Sequence, residues 1–220
     1  LLRIAGDWLG CQLPCAVWPS LVVGFQIESR PLVPGRGARA LIAVESEREA
    51  LTFSPTEMEA LETTLGGEGS VFLGDEAALS ALPDERLDLL YVHCHGRLDL
   101  AKTRPSVLEV GEGVDARAVD RRWPDMSAPR LVVLAACRAG RKDKRLGEDG
   151  AAGLVAAFLY RGATSVIAAP SDLFHEPAKQ FVAELLRLRS TGLAVGESLQ
   201  AARAALLSDG HDPRDVGVLS

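Results

Sequence analysis

Leu131-Val132-Val133-Leu134-Ala135-Ala136-Cys137, followed at once by Arg138-Ala139-Gly140, is the stretch that decides how this chain folds. Six apolar residues with no polar alternate describe a strand covered on both faces, as in a parallel sheet. The run stops on a cysteine. A second, mostly apolar run over residues 87–95 stops 42 positions earlier, on His95, and Gly96 follows it. Strand tips are where open α/β sheets place their reactive groups. A thiol and an imidazole delivered by two such tips can form a nucleophile and base pair.

Outward from these tips, short apolar strands alternate with segments of helical period, the pattern of parallel βαβ units. Strands are expected at 39–45, 70–73, 86–94, 106–110, 130–136 and 164–169. Ser54-Pro55-Thr56-Glu57 reads as an N-cap, a proline at N1 and a capping-box glutamate, opening a helix that runs to about residue 65. Further helices are expected at 76–81, 114–121 and 151–161, the last closed by Gly162 at C′. Two amphipathic helices, 176–189 and 195–207, end the pattern, and their apolar stripes belong to the core. Residues 1–36 carry Pro14, Pro19, Pro31 and Pro34, so they read as an edge hairpin with a strand near 21–27. The long irregular stretch after Gly96 suits a lid or a partner surface.

At 220 residues, 47% hydrophobic and 25% charged, the chain reads as one α/β domain with a real core, a mostly parallel central sheet and helices on both faces. A net charge of −6 gives no basic surface for nucleic acid. No apolar run approaches the ~20 residues that span a bilayer, so no membrane partner is expected. Four cysteines in a domain of this size read as free thiols in a reducing, cytoplasmic compartment. The start Leu1-Leu2-Arg3, with no initiator Met and no signal sequence, reads as a domain cut from a longer protein.

A thiol acts as thiolate, and a neighbouring imidazole is one way to make it. Strand alternation puts His93 and His95 on one face and Cys94 on the other. His95, at the tip, is the better base, and His93 lies one layer deeper. The N–H groups of Gly96 and Cys137 are candidates for an oxyanion site, with Gly96 lacking a side chain that would keep a peptide carbonyl away. The spacing of His93, Cys94, His95, Cys137, Cys11 and Cys15 fits no closed zinc pattern, so neither metal nor cofactor is expected. Gly66-Gly67-Glu68-Gly69 precedes a strand and no Gly-Lys-Ser follows, which gives no phosphate loop. His175 and His211 read as surface residues.

Tyr91-Val92-His93-Cys94-His95-Gly96 and Leu131 through Gly140 resemble the histidine and cysteine motifs of CHAT domains, prokaryotic members of the caspase, gingipain and separase group of cysteine peptidases. The resemblance extends through Gly147-Glu148-Asp149-Gly150, residues 151–158, 162–167 and the final helix. It implies a caspase-like three-layer sandwich. It also implies an endopeptidase in which Cys137 attacks, His95 moves the proton and the reaction passes through a thioester, with a protein substrate. Such domains are commonly fused to sensor or repeat modules in bacterial defence, so a fused or associated trigger is expected. Asp172 either holds a basic P1 side chain, as acidic pockets of relatives do, or caps the following helix. The charged stretch after Cys137, within residues 138–150, is a solvated loop or a self-cleavage loop. The rival functions are a catalytically inactive interaction domain and a different cysteine-dependent hydrolase or acyltransferase.

Overall fold

Strands with no polar alternate need cover on two faces, and the central strands of this chain have it. The structure is a computed structural model that describes residues 3–4, 7–8, 27, 35, 37–44, 51–66, 70–98, 106–140 and 153–212. Arg3–Ile4 (β1) and Asp7–Trp8 (β2) pair antiparallel. The rest of the expected edge hairpin, its strand near 21–27 included, lies outside the described residues apart from isolated positions, as do Cys11, Cys15 and residues 141–152.

In chain order the main elements are β3 (Ala38–Ile42), α1 (Pro55–Thr64), β4 (Ser70–Leu73), β5 (Leu89–His93), β6 (Gly96–Leu98), β7 (Ser106–Leu108), α2 (Ala116–Arg122), β8 (Leu131–Ala135), α3 (Leu154–Tyr160), β9 (Ser165–Ala168), α4 (His175–Ser190) and α5 (Val195–Ser208). Five strands form one parallel sheet in the order β4-β3-β5-β8-β9. Its two faces build two cores. Leu41, Leu90, Val92, Val132 and Leu134 pack with Val119, Leu154 and Phe158 from α2 and α3. Ala40, Ile42, Tyr91, Val133 and Ile167 pack with Leu61, Phe181, Leu185, Leu199 and Leu206 from α1, α4 and α5. This is the three-layer α/β sandwich that the sequence implied.

Local signals explain several boundaries. The Ser54 hydroxyl accepts from Glu57 N–H at 3.2 Å while the Glu57 carboxylate accepts from Ser54 N–H at 2.7 Å, so the capping box closes from both sides. Gly162 takes φ +108° after α3, and a Cβ there would lie 2.0 Å from the Met126 carbonyl oxygen. The helix expected at 76–81 is instead two 3₁₀ turns, Gly74–Glu76 and Leu79–Ala81. Ala77 and Leu82 reach the core from extended conformations between and after those turns, which one continuous helix could not present. The strand at Ser106–Leu108 forms, but it pairs antiparallel with Gly96–Leu98, outside the main sheet.

The strand order reverses between β3 and β5: the chain leaves β3 toward β4 on one side and returns to β5 on the other. At such a reversal the loops diverge and a crevice opens beyond the carboxyl ends of the strands. The β5 tip that carries His93, Cys94 and His95 lies at that crevice.

Candidate active site

β8 ends at Ala135, and the chain turns sharply after it, with Ala139 N–H donating to the Ala136 carbonyl at 3.3 Å. Arg138 sits in the left-handed region at φ +59°, a conformation that costs a non-glycine residue about 1–2 kcal/mol. Two bonds hold it there. Arg138 N–H donates to the Ser171 carbonyl at 2.9 Å, and Gly140 N–H to the Ala169 carbonyl at 2.8 Å. The turn therefore tips Cys137 out of the core while stitching its flank to the segment that follows β9. Cys137 is half-buried, and Leu173 brackets its sulfur: the Leu173 N–H donates to Sγ at 3.3 Å, and Sγ lies 3.6 Å from the Leu173 carbonyl oxygen.

The other tip approaches from β5. His95 is half-buried, and its carbonyl accepts Glu109 N–H at 2.9 Å. A Cβ built on Gly96 would meet the Cys137 carbonyl oxygen at 1.9 Å and its backbone nitrogen at 2.9 Å. No side chain fits there. The glycine is needed because the two strand tips touch backbone to backbone, a reason different from the expected one of admitting a peptide carbonyl. Leu108, opposite Gly96 in the β6–β7 pair, donates its N–H to Val114 and accepts at its carbonyl from Val114 and Val110, so Gly96 N–H faces away from that ladder. Both tips open into one cleft of about 640 Å³ that contains His93, His95, Cys137, Phe174 and His175.

A profile of the CHAT domain matches residues 11–216. The chain belongs to the CHAT domain family. A protein of Vitiosangium sp. (strain GDMCC 1.1324), named as a probable protease, is 33% identical over 157 residues, which are 66% of this chain and 19% of that protein. The chain thus spans about a fifth of the length of the curated relative it matches.

Beneath the cleft of this CHAT domain runs a chain of hydrogen bonds. The Tyr91 hydroxyl meets His93 Nδ1 at 2.6 Å, His93 Nε2 meets His175 Nδ1 at 2.8 Å, and His175 Nε2 meets the Thr52 carbonyl at 2.9 Å. A carbonyl only accepts, so His175 Nε2 carries a proton. With His175 neutral, its Nδ1 then accepts from His93 Nε2–H, and His93 Nδ1 accepts from the Tyr91 hydroxyl. In that tautomer every proton points the same way, from the core to Thr52. Phe53 stands edge-on to both imidazoles, with ring centroids 5.0 and 5.5 Å away. His93 is 2% exposed, and burial chiefly, with His175, Lys179 and His95 nearby, holds its pKa down to about 3. Both ring nitrogens of His93 are engaged and its charged form is disfavoured, which suits a structural imidazole.

The placement of His175 corrects the sequence reading, which put it on the surface. It opens α4 and turns inward to grip β5. Nothing local marks it, because its partners His93 and Thr52 are 82 and 123 residues away.

Asp172 faces Arg138 in a two-pronged ion pair, 2.7 Å from Nε and 2.8 Å from Nη2. It does not cap α4, whose N-cap is Phe174. Cys94 is buried in the core on the α2–α3 face, and burial pushes its thiol pKa up, leaving an unreactive thiol. Of the tip residues, His95 and Cys137 stand half-buried at the cleft, and Gly96 joins the two tips backbone to backbone.

Proposed function

We propose that this chain is a cysteine endopeptidase acting on a protein substrate. The observation that carries the reading is the contact of Gly96 with the Cys137 backbone, which brings the histidine tip and the cysteine tip into one cleft. Membership of the CHAT family and the likeness to a probable protease support it. His95 takes the Cys137 thiol proton as the sulfur attacks the scissile carbonyl carbon. The N–H groups of Gly96 and Cys137 face the developing oxyanion. The C–N bond then breaks, the leaving amine takes the proton from His95, and a thioester remains. Water, deprotonated by His95, hydrolyses it and restores the thiol. His93, locked between Tyr91 and His175, takes no part in proton transfer.

Asp172 lies beside the cleft as the acidic group that receives a basic P1 side chain, and Arg138 holds its place until substrate exchanges with it. A fused or associated sensor or repeat module triggers the enzyme in a cytoplasmic defence or signalling pathway. The remaining four fifths of the related protease's length leaves room for such modules.

The test is proteomic: wild-type, Cys137→Ala and His95→Ala proteins are incubated in a cell lysate, and new N-termini are sequenced. Cleavage lost in both variants supports the dyad. Cleavage after Lys or Arg that Asp172→Asn abolishes supports the acidic pocket. If Cys137→Ala cleaves as well as wild type, the peptidase reading fails.

A further inference from the structure

The segment between β9 and α4 crosses the thiol like a strap. Its near end is bonded to the nucleophile's own turn, through Ala169 to Gly140 and through Ser171 and Asp172 to Arg138. At its middle, Leu173 N–H donates to Cys137 Sγ at 3.3 Å. Its far end is held by two side chains of α4: His175 meets His93 Nε2 at 2.8 Å and the Thr52 carbonyl at 2.9 Å, and one turn further on Lys179 donates to the same carbonyl at 3.1 Å and pairs with Glu57 of α1 at 2.7 Å. α4 has no side-chain cap at its N-terminus, and of these two anchors it is the His175 ring that reaches the central sheet. His93 belongs to β5, the strand whose tip carries His95 two residues later.

We propose that His175 is a positioning residue for the Cys137 thiol. By clamping the strap to β5 it keeps the Leu173 N–H aimed at the sulfur. It also ties the segment over the nucleophile to the strand that delivers the base. A hydrogen bond donated to a sulfur strengthens once the thiol has given up its proton, and the Leu173 carbonyl at 3.6 Å is the acceptor the thiol faces before that, so the strap sets the direction of the sulfur in both forms. Without the clamp the strap keeps its anchors to Arg138 and Gly140, which move with the nucleophile's own turn, and α4 keeps the Lys179 bonds to Thr52 and Glu57; none of these refers the strap to β5. The inference extends the reading of Cys137 as nucleophile, yet its readout needs no peptide substrate.

The experiment measures the rate at which iodoacetamide alkylates Cys137 near neutral pH, with the modified peptide identified by mass. His175→Phe keeps the ring volume against Phe53 but can neither accept from His93 nor donate to Thr52. It is expected to slow alkylation about tenfold, the factor that accompanies loss of one hydrogen bond to a charged group. His175→Gln, with an acceptor and a donor on one planar group, is expected to recover most of the rate. A packing role alone would show the reverse order, with Phe the better substitute. Equal rates in folded wild-type and Phe proteins, or a Gln variant as slow as Phe, would overturn the proposal. Should the Phe variant not fold, His175→Ala carries the same expectation, because water can reach His93 there. Amide hydrogen exchange of the wild type adds an independent check: a protected Leu173 amide supports the clamp, and exchange at the rate of an unstructured loop overturns it. Loss of all proteolysis with alkylation behaving as described would count against the peptidase reading and leave the clamp intact.

Discussion

Gly96 and His93 show how single residues set the chemistry of this cleft. At Gly96 the constraint is steric: a methyl group would need the space of the Cys137 carbonyl oxygen, 1.9 Å away. Gly96→Ala is expected to push the two tips apart, destabilising the fold by about 1–3 kcal/mol in urea unfolding and, on the proposed mechanism, removing cleavage of protein substrates even if folding is rescued. At His93 the constraint is electrostatic. Its folded pKa of about 3 lies below the ordinary 6.5, so between those values the unfolded chain binds a proton that the folded one refuses. This group leaves stability undiminished above pH 6.5 and drains it as pH falls toward 3, with a limiting slope of ~1.4 kcal/mol per pH unit. Urea midpoints measured from pH 7.5 down to 4 check this, and His93→Gln is expected to fall less steeply than wild type.

Among the elements, α1 was the most legible before any tertiary information. Its capping box joins residues three apart, so the four letters Ser54-Pro55-Thr56-Glu57 contain the whole device. Ser54→Ala is expected to cost about 1 kcal/mol, seen as a fall in Tm of about 2–4 °C for a chain of this size. The strands of the main sheet were legible too, since apolar runs such as 131–135 mark elements covered on both faces. β6 was not. Its three residues, Gly96-Arg97-Leu98, have no apolar period, and they form a strand only because Ser106–Leu108 lies alongside. Residues 76–81, read as a helix, fall instead on two 3₁₀ turns, Gly74–Glu76 and Leu79–Ala81. The extended backbone at Ala77 and Leu82 is set by the core they fill.

For the molecule as a whole, stability resides in the central strands. Leu134, fully buried between β5 and β9, is expected to cost about 3–5 kcal/mol as Leu134→Ala. Leu73, 42% exposed on the edge strand, is expected to change stability by less than about 0.5 kcal/mol as Leu73→Ala, both read from urea midpoints. The sheet order β4-β3-β5-β8-β9 sets the cleft beyond the strand tips, and it explains why residues far apart in sequence meet there. By itself the sequence determined the α/β class, the parallel strands, the first helix and its cap, and the two tips ending in His95-Gly96 and Cys137. Those features rest on periodicity and on contacts within a few residues. Only the tertiary structure decided that Gly96 abuts the Cys137 backbone, that Asp172 pairs with Arg138, and that His175 turns inward to His93. Each of those contacts joins segments brought together by the strand order, and no local pattern encodes a distance between segments that meet only when the sheet is assembled.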